Sequence, residues 1–551
     1  MRIWPIAMVV VVMASRAYGD VAMSPRLAAL AAKVAAKERG AEDAFWKQVS
    51  DEGTPLVEDT RDPRGRLLVT FVYRARPDTR AVAIYDAPGG INGGYARLDR
   101  LAGTGVFAYS ALVDPAARFT YFFAPGDDFG PPGGLDDYRK RQLLFRPDPL
   151  NKHPYHMESV LELPKAPPQP LLVPRRETPT GELAELTVQS KVLGNERRVV
   201  VYTPPGWQAK GATYPLVVMF DGPTAIVALA LPIVLDELIA AKQIPPVVVL
   251  LVGNADRNKE LPGNPAFADF VALDLVPWVR RAYHATDDPR LTVIAGISYG
   301  GIAAAFGAAR HPAVYGNVLS QSGSYWWGPD DTDEGEAHPH DYATRPKLPL
   351  RFWMEAGTLE SGAQKRGYDQ LVGNRHMRDV LVARGYDVTY REFAGAHDYV
   401  SWRGTIGDGL IALLAKPPSF SGKPAASPGK PGGIELGELK KPLLAKVQRL
   451  AILDGGDATV AWLDKQDAPL VTEDEVNRAA YALLELDRTK EALPIFEWNA
   501  KRFPKSANVH DGLGEAYWHA GDRQRAIASY QRSLELDPKN DNAKRMIDVL
   551  R

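Results

Sequence analysis

No cysteine occurs in the 551 residues. That absence excludes a disulfide framework, a thiolate metal site, a cysteine nucleophile and lipid attachment through sulfur. A charge excess of either sign is missing too. Lys+Arg number 66 and Asp+Glu 67, a net charge of -1, which argues against a general nucleic-acid-binding surface. Long apolar runs are scarce: residues 6–14 are too few to span a bilayer, and no longer run follows, so no membrane span is expected. What is present is ordinary globular composition, 45% hydrophobic, in a chain long enough for two to four domains.

Residues 1–19 begin Met1-Arg2, continue through that apolar stretch and end in Ala17-Tyr18-Gly19, a small-x-small cleavage pattern. They read as a signal peptide, which predicts export to a bacterial periplasm or secretion. Residues 22–47 are Ala-rich with a helical period. From Pro55 the pattern changes to short β-rich runs at 67–73, 81–85, 106–112 and 119–123, divided by Gly, Pro and Asp. Such spacing predicts an Ig-like antiparallel β-sandwich over 20–165, with Tyr109, Tyr121, Phe122 and Phe123 in its core. Residues 126–146 fit no single element.

Beyond the Pro-rich 164–174, a hairpin is expected at 182–188 and 197–202. Runs 216–220 and 247–252 are continuous and valine-rich, the mark of strands buried on both faces of a parallel sheet. Helical stretches at 226–242 and 267–283 alternate with further strands at 291–295, 314–320, 351–355 and 388–393. This order predicts an α/β-hydrolase domain over 175–415, a mostly parallel sheet with helices on both faces. Residues 416–436 read as a Pro/Gly-rich linker. In the helical remainder, 437–551, Ala492, Phe496 and Pro504 recur as Ala526, Tyr530 and Pro538, each displaced by 34 residues. That is the tetratricopeptide period. So few repeats are expected to lean on the hydrolase domain or on a protein partner.

Residues 291–301 organise the rest. A buried strand breaks at Gly296, and Gly296-Ile297-Ser298-Tyr299-Gly300 leads into the small-residue helix 302–309. This is G-x-S-x-G in its strand–turn–helix setting, with Ser298 exposed at the turn and a helix N-terminus beside its oxygen. A serine needs a base and an orienting acid, and in this fold the order is Ser, acid, His. His397, in the loop after the last predicted strand, suits the base; His311, at an exposed-looking helix end, does not. His338 and His340 lie in a Pro/Asp-rich insertion and read as a solvated loop; no metal site is expected. Glu360, in the loop after strand 351–355, suits the acid. Asp369 and Asp379 fall in the next helical stretch, and Asp398 is too close in sequence to face the histidine. The oxyanion hole needs two N–H donors, Tyr299 after the nucleophile and Gly222 after strand 216–220. Such a site requires no cofactor.

Asp221-Gly222, Glu260-Leu261-Pro262 with Asn264 and Phe267, Gly296–Gly301, Ser320-Gln321-Ser322-Gly323-Ser324-Tyr325-Trp326-Trp327, Glu355-Ala356-Gly357 with Glu360, and Gly395-Ala396-His397-Asp398 with Trp402-Arg403 together resemble the enterochelin (enterobactin) esterase family. The N-terminal region, with Asp148-Pro149-Leu150-Asn151, resembles that family's N-terminal domain. The resemblance implies a serine esterase that opens the ester (lactone) bonds of a catecholate siderophore, with a ferric catecholate among its substrates. Feruloyl or acetyl esters of polysaccharides are the alternative substrates, and a non-catalytic repeat-bearing scaffold is the alternative role. For an anionic aromatic substrate, Arg257 and Arg403 supply charge and Trp326, Trp327 and Trp402 supply stacking faces. Packing of strand ends is the other use of the same tryptophans.

Overall fold

The computed structural model describes residues 24–551 except 89–93, 131–134, 157, 210, 330–334, 362–368, 418–428 and 467–470; residues 1–19, expected from the sequence to be a signal peptide, lie outside the described residues. The N-terminal helical stretch is two helices, Pro25–Ala35 and Ala41–Glu52, because Lys37 and Gly40 both turn to positive φ between them. Their apolar faces, including Leu27, Leu30, Trp46 and Val49, pack on Val72 and Val106 of the sheet that follows.

That sheet is one half of an antiparallel sandwich. Four strands run in the order Leu56–Glu58, Leu67–Arg74, Val106–Val113, Asp99–Arg100. Five more run Ala96–Arg97, Val82–Tyr85, Arg118–Pro125, Glu158–Glu162, Pro154–Tyr155. Successive side chains of Arg118–Pro125 alternate faces, as a strand requires. Tyr121 and Phe123 fill the space between the sheets, where Tyr121 meets Phe71 edge-on at 4.8 Å. Phe122 points the other way and is covered by Phe145 and Tyr138. Within the segment 126–146 that no periodicity could assign, Tyr138, Leu144 and Phe145 thus cover that outer face.

The hydrolase sheet has nine strands in the order Asp387–Phe393, Arg351–Gly357, Asn317–Gln321, Thr292–Ile297, Leu216–Phe220, Val248–Val252, Asn195–Thr203, Glu182–Ser190, Ile434–Leu436. The first six are parallel and the last three antiparallel. Every residue of Leu216–Phe220 and Val248–Val252 is buried, as their unbroken apolar runs demand. Two expectations are corrected here. The stretch 226–242 is not one helix: Gly222–Ala228 and Leu231–Ala240 meet at 72°, because Ala230 is left-handed and Pro232 starts the second helix. The linker does not run free to residue 436, since Ile434–Leu436 pairs with the sheet edge at Glu182–Ser190 and supplies its last strand.

Leu231–Ala240 is buried at every position from Leu231 to Leu238. A helix buried all round needs cover on both sides, and its two carboxylates are partnered, Asp236 by the Tyr202 hydroxyl and Glu237 by Arg175, each at 2.7 Å. The sheet supplies one and the C-terminal helices the other. Together with Gly222–Ala228 it is apolar enough to pass for a bent membrane span, but no single described helix is long and apolar enough to cross a membrane. The tail contains seven helices among the described residues, Leu444–Asp454 to Asp541–Leu550. Ala492 with Ala526, and Phe496 with Tyr530, are fully buried at equivalent places in successive repeats. One continuous core runs from Val234 and Leu238 of the hydrolase through Val447 and Ala451 to Leu483 and Phe496. Lys440 and Glu185 exchange backbone hydrogen bonds, and Arg449 donates to the Thr178 carbonyl at 2.7 Å. The repeats lean on the hydrolase domain.

They also grip the sandwich. His156, at positive φ on the Pro154–Tyr155 hairpin, bridges Glu485 and Glu515 of two repeat helices' ends, the latter at 3.1 Å. Burial opposes charging of His156, but the two carboxylates outweigh it and hold its pKa well above the ordinary 6.5. A base raised in the folded state contributes stability in full below about 6.5, and loses it as pH climbs through the folded-state value. The melting temperature should therefore fall from pH 6.5 upward, and His156→Asn should flatten that slope. A wild-type slope retained by the variant would assign the effect to other groups.

Candidate active site

The strand Thr292–Ile297 delivers Ser298 to the carboxyl edge of the parallel sheet, and the helix Tyr299–Arg310 begins at the next residue. The turn is tight. A Cβ on Gly296 would stand 2.3 Å from the Gly300 carbonyl carbon, so only glycine closes it. Ser298 itself sits at φ 58°, ψ -119°, a conformation costly for a side chain. Neighbours hold it there. Its N–H donates to the Gln321 carbonyl at 3.0 Å, and its carbonyl accepts from Ser324 N–H at 3.1 Å.

His397 Nε2 lies 2.9 Å from Ser298 Oγ, and His397 Nδ1 lies 2.9 Å from Glu360 Oε2. Three residues separated by up to 99 positions thus form one hydrogen-bonded chain. Glu360 follows the strand Arg351–Gly357, and its side chain is 0% exposed against 40% for His397. The buried carboxylate has further donors on Oε1: the Gly357 N–H at 2.7 Å and the Ser322 hydroxyl. Ser322 Oγ in turn accepts from Trp402 Nε1 at 2.9 Å, so its own proton is free for Glu360. The edge of Trp402 also meets the His397 ring at 4.8 Å.

The neighbouring carboxylates are committed elsewhere. Asp398 caps the helix Tyr399–Leu414 through Ser401 N–H and accepts from Thr120 N–H of the sandwich at 3.0 Å; burial pushes its pKa up to about 6. Burial pushes Glu355 up to about 8 while Thr405 and Gln321 donate to it. Such a group is mostly protonated at neutral pH and serves as a strut. The loop bearing His397 is clamped by the N-terminal domain. Arg118 N–H donates to the Ala394 carbonyl at 3.1 Å, Ser401 Oγ donates to the Arg118 carbonyl, and Ala396 sits in the sandwich core.

Tyr299 opens the helix beside Ser298. Strand pairing matches Met219 with Ala295, so Gly222 and Ser298 each lie three residues further along adjacent parallel strands. A Cβ on Gly222 would press within 2.4 Å of the Leu251 carbonyl carbon, which is why glycine occupies this place. The preceding Asp221 holds Arg257 at 2.9 Å and Asn254 at 2.6 Å, and the Arg257 guanidinium lies 5.6 Å over the Tyr299 ring. Arg257 therefore stands beside Tyr299 and close to the serine, partly exposed.

The other residues expected to meet substrate are placed differently. Trp326 is buried with its N–H on Gln370, and Trp402 is buried beneath the histidine. Arg403 reaches the Glu485 carbonyl and Gln169, joining the hydrolase to the repeats. None of these three offers an open ring face or a free cation: Gln370 holds Trp326, and the helix Tyr399–Leu414 turns Trp402 into the core and Arg403 onto the tail. Trp327 is partly buried and stacks on His338 at 5.6 Å. Two expectations about histidines are corrected with it. His338 and His340 lie on a helix, Ala337–Thr344, with His338 buried against Trp327, and His311 is fully buried on Asp269 at 2.8 Å. Among the described residues no group of three or more His, Asp and Glu could hold a metal ion. Sequence reasoning assigned no role to Ser322, Ser324 or Asp221, although all three stand in the blocks quoted for the family resemblance.

Residues 190–413 match the Esterase family and residues 68–172 the N-terminal domain of enterochelin esterase; residues 507–540 match a tetratricopeptide repeat. The iron(III) enterobactin esterase of Dickeya dadantii is 34% identical over 415 residues, 68% of this chain and 93% of that protein. The iron(III) salmochelin esterase of Escherichia coli is 30% identical over 67% of this chain and 93% of its own length. The crystal structure of the ferric enterobactin esterase of Salmonella typhimurium superposes with a TM-score of 0.54 at 29% identity, over 68% of this chain and 98% of that one. That of the Shigella flexneri enterobactin esterase in the presence of enterobactin gives 0.53 at 28%, with the same coverage. What these relatives share with the chain is the sandwich and the hydrolase, and the repeat tail is extra. The chain belongs to the enterochelin esterase family and is a carboxylic ester hydrolase with a tetratricopeptide region added to it.

Proposed function

We propose that this chain opens the lactone bonds of a catecholate siderophore of the enterobactin class, with Ser298 as nucleophile. The observation that carries the chemistry is the Ser298–His397–Glu360 chain, 2.9 Å at each joint. The substrate class rests on the relatives named as enterobactin and salmochelin esterases. His397 takes the proton of Ser298 as Oγ attacks the ester carbonyl, and Glu360 stabilises the resulting imidazolium. The N–H groups of Tyr299 and Gly222 receive the oxyanion. His397 then gives its proton to the departing hydroxyl, and water clears the acyl-enzyme by the reverse exchange.

Arg257 and Trp327 are the substrate contacts we assign, Arg257 because it stands beside Tyr299 and close to the serine. The signal-peptide pattern at 1–19 supports export, and mature protein recovered from a periplasmic fraction is expected to begin at Asp20; an intact N-terminus there would overturn this. The tail's first role lies within the chain, so a partner protein would dock on repeat faces that the hydrolase and sandwich leave open. A panel of a catecholate trilactone, feruloyl sugars and acetyl sugars tests the substrate. The trilactone should give the highest kcat/KM, and preference for either sugar ester would replace this reading. Ser322→Ala removes one donor from Glu360 and leaves Trp402 N–H unpaired. It should lower kcat about tenfold with little change in KM, since a hydrogen bond to a charged group is worth about 1.5–3 kcal/mol.

A further inference from the structure

Proton counting around Ser298 leaves one hydroxyl without a role. Ser324 is 2% exposed, and its Oγ lies 3.2 Å from Ser298 Oγ. Glu360 as a carboxylate only accepts, so His397 Nδ1 carries a proton and Nε2 of the neutral ring accepts. The single proton of Ser298 is therefore committed to Nε2 at 2.9 Å. The contact between the two serines is left with one direction, Ser324 donating to Ser298 Oγ. The backbone fixes this approach, because Ser324 N–H also donates to the Ser298 carbonyl and the Gly323 carbonyl is held by Gln370 and Asn374.

We infer that Ser324 is a further catalytic residue, a donor aimed at the nucleophilic oxygen itself and distinct from the oxyanion donors. As Ser298 Oγ passes its proton to His397 it gains negative charge, and the Ser324 hydroxyl stabilises that charge. When the acyl-enzyme breaks down, the acyl–Oγ bond cleaves, the electron pair returns to Oγ and His397 reprotonates it. Ser324 again donates to the oxygen that bears the charge. No atom is transferred from Ser324. The inference rests on the reading of Ser298 as nucleophile and deepens it.

The test uses full-length protein with Ser324→Ala and Ser298→Ala in parallel, assayed on a catecholate trilactone and on p-nitrophenyl acetate across pH. Ser324→Ala should lower kcat about tenfold, less than the 10²–10³ seen on losing an oxyanion donor. KM should stay within about twofold, and the acid limb of kcat/KM, which reports His397, should not move. A kcat within about twofold of wild type would overturn the inference. So would a fall accompanied by a displaced acid limb, because Ser324 would then be propping the triad. Turnover retained by Ser298→Ala would instead sink the nucleophile assignment, whatever Ser324→Ala does.

Discussion

Ser298→Ala should lose at least about 10⁴-fold in kcat, because residues of such a chain act as a unit and the remaining binding groups recover only a small part of the rate. Two further readouts separate chemistry from folding. Covalent labelling by a fluorophosphonate should disappear entirely. Substrate binding should survive, since Arg257 and Asp221 do not touch the missing oxygen. The variant should fold, as alanine keeps the same Cβ and leaves Gly296, Gly300 and the Gln321 carbonyl contact unchanged. A kcat within tenfold of wild type would move the nucleophile elsewhere.

Ending the chain after Leu414 should be nearly as damaging, although it removes no residue of the catalytic chain. The helices Gly222–Ala228 and Leu231–Ala240 would lose the cover that the tail helices Glu473–Leu484 and Leu444–Asp454 supply, exposing apolar side chains that are now buried. Each fully buried Leu, Ile or Val is worth about 1.5–3 kcal/mol, and a domain holds only about 5–15 kcal/mol in reserve. The strand Ile434–Leu436 would go as well, uncovering the edge at Glu182–Ser190 to pairing with other chains. The expected result is loss of most soluble monomer and aggregation of the rest, seen by size-exclusion chromatography. A truncated chain that stays monomeric with wild-type kcat would show that the repeats are an independent module. The family's shorter members fold without such a tail, so in this chain the covering surface and the tail have to be matched to each other.

Much of this was legible before any coordinates. The valine runs at 216–220 and 247–252 read directly as buried parallel strands, since they are short, unbroken and rich in β-branched residues. The elbow at Ser298, and the loops of Glu360 and His397 after later strands, followed from strand order. The 34-residue displacement of Ala492 and Phe496 identified the repeats. What was illegible depends on long-range cover. Nothing local announces that Ala230 turns left-handed, or that residues 434–436 return to a sheet edge some 245 residues earlier in the chain. The tryptophans left two uses open for the same reason: Trp326 and Trp402 are as suitable for stacking a catechol as for filling a core, and only Gln370 on the first and the packing of Tyr399–Leu414 around the second decide. His311 looked exposed because its partner, Asp269, lies 42 positions away.

The repeat tail and the sandwich both bond to the segment that runs from the His397 loop into the helix Tyr399–Leu414. Arg403 stands one residue from Trp402 and bonds to the Glu485 carbonyl of the tail, while Thr120 and Arg118 of the sandwich hold the loop of His397. The position of His397 is thus set by all three parts of the chain, and the buried Asp398, its pKa pushed up to about 6 by burial, joins the hydrolase to the sandwich through Ser401 and Thr120.

The central claim is that Ser298 is acylated by a catecholate lactone. Attack on one ester of a cyclic trilactone opens the ring without releasing any fragment, so the acyl-enzyme carries the mass of the whole substrate. Acid quenching during steady-state turnover, followed by peptide mass spectrometry, measures this directly. The peptide containing Ser298 should gain the full mass of the trilactone, and no other peptide should. The added mass on any other residue would contradict it.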